Sequence, residues 1–201
     1  MRECYGIAGR KGHGKDTFAK MVCRSRPEFV ILHFADALKQ ILVDVFNLNP
    51  RQLEDSRLKE APFAFPIEID AFLPQLRATT NLEMEPAGKV ATTPRQLMQL
   101  VGTDYVRRVQ DDFWIRRLLV EIERHDYVLV ADVRFRNEAA AIRTVSGKII
   151  KIIRLDSGAE AVAEHSSEAE IDNIGAEVVV NAAKGDLCPL QAAVALLQPS
   201  L

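Results

Sequence analysis

Gly9-Arg10-Lys11-Gly12-His13-Gly14-Lys15-Asp16-Thr17 is the stretch of this chain best equipped to do chemistry. Glycines at 9, 12 and 14 permit a tight turn in which successive backbone N–H groups point inward, a concavity suited to phosphate oxygens. Lys15 follows the last glycine and would reach the terminal phosphates of a nucleotide. The stretch leaves a short apolar run, Cys4–Ala8, and opens a helical pattern, Asp16–Arg24. The positive end of that helix would aim at the same anion. Strand, glycine loop and helix are the setting that a phosphate-binding P-loop requires.

A second constellation sits at Asp132-Val133-Arg134-Phe135-Arg136-Asn137-Glu138, directly after the hydrophobic run Tyr127–Ala131. In open α/β sheets, ligands bind beyond the carboxyl ends of the strands. An acid, two guanidiniums, an amide and a carboxylate at one strand end therefore belong beside the glycine loop. Lys39 lies on the helix after the second apolar run. Arg95 opens a later helix that Arg107 and Arg108 close, and those two read as ordinary surface charges. Arg154 ends the fourth run, and His165-Ser166-Ser167-Glu168 lies in a lid-like segment, about 155–170. His13 reads as a loop spacer whose backbone matters more than its ring, and His33 as a core residue.

The elements that must position these groups are legible as a period. Five short runs have the continuous apolar character of strands buried on both faces: Cys4–Ala8, Phe29–Phe34, Tyr127–Ala131, Ile149–Arg154 and Glu177–Asn181. Helical patterns separate them at Ala35–Phe46, Pro94–Val101, Phe113–Arg124 and Glu138–Val145, and Leu190–Leu197 follows the last. Thr93 is placed to cap the second of these, with Pro94 at its first position. Alternation of this kind predicts a three-layer α/β sandwich: about five parallel strands with helices on both faces. Residues 49–92 break the rhythm. They are proline-rich, show no strong strand, and read as a structureless insertion that would carry the phosphate acceptor.

Composition narrows the function classes. A chain of 201 residues with 48% hydrophobic content suits one domain. A net charge of −2 supplies no basic field for nucleic acid. Three dispersed cysteines, Cys4, Cys23 and Cys188, form neither a disulfide framework nor a zinc site and fit a reducing compartment. No apolar run approaches a membrane span, and Met1-Arg2-Glu3 leads straight into a strand, so the expected location is the cytoplasm.

The usual P-loop lysine precedes Ser or Thr; here Asp16 follows it and the hydroxyl comes at Thr17. That ending is more like nucleotide kinases than GTPases. Five ordered segments resemble phage-type deoxynucleoside monophosphate kinases: Gly12–Thr17, Phe34-Ala35-Asp36-Ala37-Leu38-Lys39, Arg95–Asp104, Asp132–Glu138 and His165–Glu168. Trp114 matches a tryptophan shortly after the Gly-Thr-Asp segment. The resemblance implies transfer of a phosphoryl group from ATP to a deoxynucleoside monophosphate with Mg²⁺. It implies host cytoplasm if the chain is of phage origin, and allows a homodimer. Gly12, His13, Gly14, Lys15, Asp16 and Thr17 would hold ATP. Asp16, Thr17 and Asp132 would serve Mg²⁺ or its waters. Lys15 and Arg134 would neutralise the transferring phosphoryl, with Glu138 orienting Arg134. Lys39 and Arg95 would grip the acceptor phosphate, and Arg136, Trp114 and His165 complete the substrate contacts. Arg154 and His165 would close over ATP. The residues leave other readings open: a hydroxyl acceptor such as dephospho-coenzyme A with Asp132 as base, phosphomevalonate, or a nucleotide-binding switch without a second substrate.

Overall fold

The computed structural model describes residues 3–10, 12–155 and 170–197. By contacts they form two compact units, one within Met1–Phe34 and Leu118–Leu201, the other Ala35–Arg117.

The first unit is built on five parallel strands. They are β1 (Glu3–Ala8), β2 (Val30–Leu32), β5 (Tyr127–Val133), β6 (Lys148–Arg154) and β7 (Val178–Ala182), in the order β2-β5-β1-β6-β7. All four pairings are parallel. The five runs expected from the sequence are these strands, shifted at their ends by one or two residues. Strand β5 is buried at Val128–Ala131 and at Val133 because both faces of the sheet are covered. On one face α1 (Lys15–Ser25) and α9 (Cys188–Leu196) cover Ile7, Leu129 and Ile150 with Phe18, Val22 and Leu190. On the other, Ile142 of α8 (Arg136–Thr144) lies over Gly6, where a Cβ would come within 2.6 Å of its Cδ1.

At the amino-terminal end of this sheet the chain buries a charge. Arg26, only 6% exposed, donates through Nη1 to Glu3 Oε2 at 2.8 Å and through Nη2 to Glu3 Oε1 at 3.1 Å. Its Nε donates to Glu28 at 2.8 Å and Nη1 also to the Leu197 carbonyl at 2.6 Å. The guanidinium lies 4.6 Å from the centroid of the Phe29 ring and 5.2 Å from that of Tyr127. Every side of the cation has a partner, which is what makes burial of a guanidinium tolerable.

The second unit opens with α2, whose helix Phe34–Phe46 starts at the last residue of the first unit. It then contains α3 (Pro50–Glu54), α4 (Ser56–Glu60), β3 (Ile67–Glu68), a 3₁₀ turn (Ile69–Phe72), α5 (Leu73–Thr80), β4 (Val90–Ala91) and α6 (Pro94–Gln99), before α7 (Phe113–Ile122) returns to the first unit. Residues 49–92 are thus ordered, not structureless. Their elements are two to eight residues long, too short for a hydrophobic period to register. Two of the prolines start helices: Pro50 is the first residue of α3 and Pro74 the second of α5. Asn49 caps α3 reciprocally with Gln52, and Asp55 caps α4. Leu53, Ile69, Leu76, Met84, Leu97 and Val101 are wholly buried and give this unit its own core. The two short strands pair antiparallel, and the Asp70 carboxylate closes the loop between them by accepting from the N–H of Ala87 and Gly88 and from the Tyr105 hydroxyl.

Thr93 caps α6 as the sequence predicts, accepting from Gln96 N–H at 3.1 Å. The helix does not end at Val101. It widens into a π-helix over Leu100–Arg107, a rare winding often found where function has a hold on the backbone. Trp114 is 3% exposed and donates its indole N–H to the Gly102 carbonyl at 3.0 Å.

Candidate active site

The glycine loop leaves the central strand β1 and enters α1, as its sequence requires. Gly9 (φ 154°) has no room for a side chain: a Cβ there would meet the Ile152 carbonyl at 2.6 Å. Gly14 (φ 95°) is the N-cap of α1 in the left-handed region and contributes no side-chain cap. No side chain caps the eleven-residue helix, whose N-terminal end is the one that favours an anion, and acidic Asp16 lies in its first turn. Lys15 Nζ bridges the loop, donating to the carbonyls of Gly9 at 2.7 Å and Arg10 at 2.9 Å. Asp16 and Thr17 are exposed beside it. Lys11 lies outside the described residues.

The carboxyl end of β6 meets the same loop. Arg154 donates from Nη1 to the Gly12 carbonyl at 3.0 Å. The His13 ring is engaged rather than a spacer: Nδ1 is 3.3 Å from Ile152 O and 3.4 Å from Arg154 N. Burial lowers the His13 pKa, opposed by the Ile152 carbonyl and reinforced by the positive charges of Lys15, Arg10 and Arg154. The balance favours the neutral imidazole at neutral pH. Arg10 forms an ion pair with Asp172, a contact without a sequence signal because the partner lies far along the chain.

Asp132 belongs to β5 itself. The register between β1 and β5 slips by one residue, from Gly6↔Val130 to Ala8↔Val133, so β5 spends one extra residue at Ala131–Asp132. Irregularities of this kind re-aim a side chain at a strand end. Half-buried, Asp132 accepts the Phe34 backbone N–H through Oδ1 at 2.8 Å, at the start of α2. Glu138, 2% exposed, accepts from the backbone N–H of Arg134 at 2.8 Å and of Phe135 at 3.1 Å. It therefore fixes the backbone of the 134–135 turn. Arg134 and Arg136 are both exposed, and neither guanidinium has a hydrogen-bond or ion-pair partner among the described residues.

In the second unit, Lys39 Nζ pairs with Asp36 at 3.0 Å along α2. Arg95 pairs through Nε with Glu60 of α4. The Arg107 side chain is only 12% exposed and has Asp111 at 3.8 Å, so it is more enclosed than the surface charge the sequence suggests. Arg108 is exposed. Trp114 lies in the core of this unit. His165 and the lid-like segment around it lie outside the described residues.

No group of three or more His, Cys, Asp or Glu is gathered for a metal among the described residues. The donors available near the loop are oxygens: the carboxylates of Asp16 and Asp132 and the Thr17 hydroxyl. That chemistry fits Mg²⁺, which takes one or two protein carboxylates and fills its remaining positions with phosphates and water. Among the described residues, no helix is long and apolar enough to cross a membrane.

A parallel sheet with β1 at its centre, and a glycine loop running from it into a helix N-terminus, define a P-loop protein of the three-layer α/β class. Comparison with known sequences supplies the family. The deoxynucleotide monophosphate kinase family model matches residues 75–192. A protein of Acanthamoeba polyphaga mimivirus assigned as a deoxynucleotide monophosphate kinase is 30% identical over 185 residues, which span 84% of this chain and 82% of that protein. The deoxynucleoside-5'-monophosphate kinase of Escherichia phage T5 is 24% identical over 219 residues, spanning 85% and 86%. Among solved structures, TT1252 from Thermus thermophilus aligns over 98% of this chain and 99% of its own at 18% identity, with a TM-score of 0.46. The chain belongs to the deoxynucleotide monophosphate kinase family.

Proposed function

We propose that this protein transfers the γ-phosphoryl group of ATP to deoxynucleoside monophosphates, giving the diphosphate and ADP. The observation that carries the reading is the loop itself: Lys15 bridges the carbonyls of Gly9 and Arg10 above the uncapped N-terminus of α1. Family membership supports the monophosphate acceptor. A monophosphate is already an anionic nucleophile near neutral pH, so the chain needs no general base. Positioning and charge stabilisation carry the catalysis instead.

In this reading the loop amides and Lys15 hold the β- and γ-phosphates. Bound with ATP, Mg²⁺ would neutralise the phosphate oxygens. Asp16, Thr17 and Asp132 are the residues that would hold it. Arg134 neutralises charge on the phosphoryl in flight, its rigid fork standing on a turn fixed by Glu138. Lys39 and Arg95 bind the acceptor phosphate. Each keeps N–H donors beyond the one given to Asp36 or Glu60, since an ammonium has three and a guanidinium five. Arg136 and His165 belong to the substrate contacts and Arg154 to the ATP side. Trp114 acts from the core by holding the Gly102 carbonyl.

The test offers each deoxynucleoside monophosphate, each ribonucleoside monophosphate, dephospho-coenzyme A and phosphomevalonate in parallel with Mg·ATP. Phosphorylation of deoxynucleoside monophosphates is expected. Robust turnover of an alcohol acceptor, with every deoxynucleoside monophosphate inert, overturns the reading.

A further inference from the structure

Strand β6 runs further than its neighbour β1. The last register pair between them is Ala8↔Lys151, yet β6 continues to Arg154. Beyond Ala8 the chain departs as the glycine loop, and no residue of β1 continues the ladder alongside Ile152 to Arg154. In a parallel ladder a residue on the neighbouring strand accepts from one N–H and donates to the carbonyl two residues earlier. The His13 Nδ1 atom stands in that place, 3.3 Å from Ile152 O and 3.4 Å from Arg154 N. Around it the loop is clasped at two further points. Gly9 packs so closely on the Ile152 carbonyl that a Cβ would lie 2.6 Å away, and Arg154 Nη1 holds the Gly12 carbonyl at 3.0 Å.

We infer that the His13 side chain is a positioning residue for nucleotide binding: through its δ nitrogen it extends the β1–β6 ladder and docks the glycine loop on the end of β6. The inference rests on the reading of this loop as the nucleotide-phosphate site, and it is independent of the acceptor. A neutral ring carries one N–H and one lone pair, so Nδ1 serves either the carbonyl or the amide at a given moment. Either bond fixes the backbone on both sides of residue 13, and with it the direction of the amides that receive phosphate. Preorganised donors bind an anion without first being ordered, which is where the affinity arises.

The δ position makes the idea separable from a direct contact with nucleotide. Asn carries its amide oxygen and nitrogen on Cγ, where Nδ1 is attached. Gln carries them one carbon further out, in the region of Nε2. Leu has neither. Three variants, His13→Leu, His13→Asn and His13→Gln, are compared with wild type by calorimetric titration with Mg·ADP and, in turnover, by KM for ATP and for a deoxynucleoside monophosphate. His13→Leu is expected to weaken nucleotide binding about tenfold, the effect of one net hydrogen bond. Its KM for the acceptor should stay within about twofold of wild type by the same reasoning. His13→Asn should recover most of the affinity and His13→Gln little.

If His13→Leu does not fold, the order of Asn above Gln decides the matter. Unchanged Mg·ADP affinity in a folded His13→Leu overturns the inference. Recovery by Gln and not by Asn overturns it too, because that pattern means an Nε2 contact with the nucleotide. Titration with Mg·ADP needs no acceptor, so a protein that binds nucleotide but phosphorylates no deoxynucleoside monophosphate fails the proposed function and leaves this test intact.

Discussion

Arginines occupy both ends of the parallel sheet, and their surroundings are opposite. At the amino-terminal end, Arg26 is 6% exposed and takes two carboxylates, a carbonyl and two aromatic rings as partners. At the carboxyl end, Arg134 and Arg136 are exposed and have no hydrogen-bond or ion-pair partner among the described residues. Both sets are cations on turns next to strands, and residue type does not separate them. Partners do. A guanidinium whose donors are already used can only hold the fold together. One whose donors face solvent beside a phosphate loop retains its charge for a ligand.

The largest expected effect sits at the carboxyl end. Arg134→Ala should lower kcat by about 10³, the lower end of what an arginine contributes to phosphoryl transfer. Its melting temperature should stay close to wild type and its KM for ATP should move little. Steady-state kinetics alongside a thermal melt checks this; a lower melting temperature with intact kcat would assign Arg134 to the fold and erase the contrast.

Lys15 sharpens the comparison because it combines both situations, hydrogen-bonded to the loop yet placed for phosphate. Lys15→Ala is expected to cost roughly 10²–10³ in kcat. A folded variant with near-normal turnover would remove the loop from the mechanism.

Arg26→Ala is the reciprocal experiment. Breaking a wholly buried ion pair costs about 3–5 kcal/mol; Glu3 and Glu28 reach solvent, so about 2–3 kcal/mol is expected here. Urea unfolding measures it. Below the unfolding transition kcat should match wild type, and a selective loss of kcat would mean that the two ends of the sheet are not independent.

The smallest effects belong to the paired cations of the second unit. Lys39→Ala and Arg95→Ala should each raise KM for the acceptor about tenfold, the effect of one charge-assisted hydrogen bond, while KM for ATP stays nearly constant. Initial rates with each substrate varied in turn separate the two constants. A cation engaged only with Asp36 or Glu60 would leave both KM values unchanged.

The sheet was legible because its strands are apolar on both faces, so that composition alone marks Tyr127–Ala131 or Ile149–Arg154. The glycine loop was legible because backbone geometry restricts which residues can stand at 9 and 14. Residues 49–92 were not: their order comes from turns, caps and a core shared with Leu97 and Val101, all contacts that no local period encodes. The role of Arg26 was hidden for the same reason, since Glu3 and Leu197 reach it from near the two ends of the chain. The neighbours of the His13 ring were hidden because a ring beside glycines looks idle until the end of β6 is seen next to it.

The strand order has a consequence for synthesis. The residues that flank β1 in the sheet, Tyr127–Val133 and Lys148–Lys151, leave the ribosome only after all of Ala35–Arg117. Until then the segment bearing the glycine loop has no strand to pair with, whereas the second unit already has its own core within one uninterrupted stretch. Vectorial folding therefore favours the inserted unit first and the phosphate loop late, and contacts of such long sequence separation are the slow ones to close. A nascent chain halted before β6 would carry every residue of the loop but neither the Ile152 carbonyl nor the Arg154 guanidinium that clasp it.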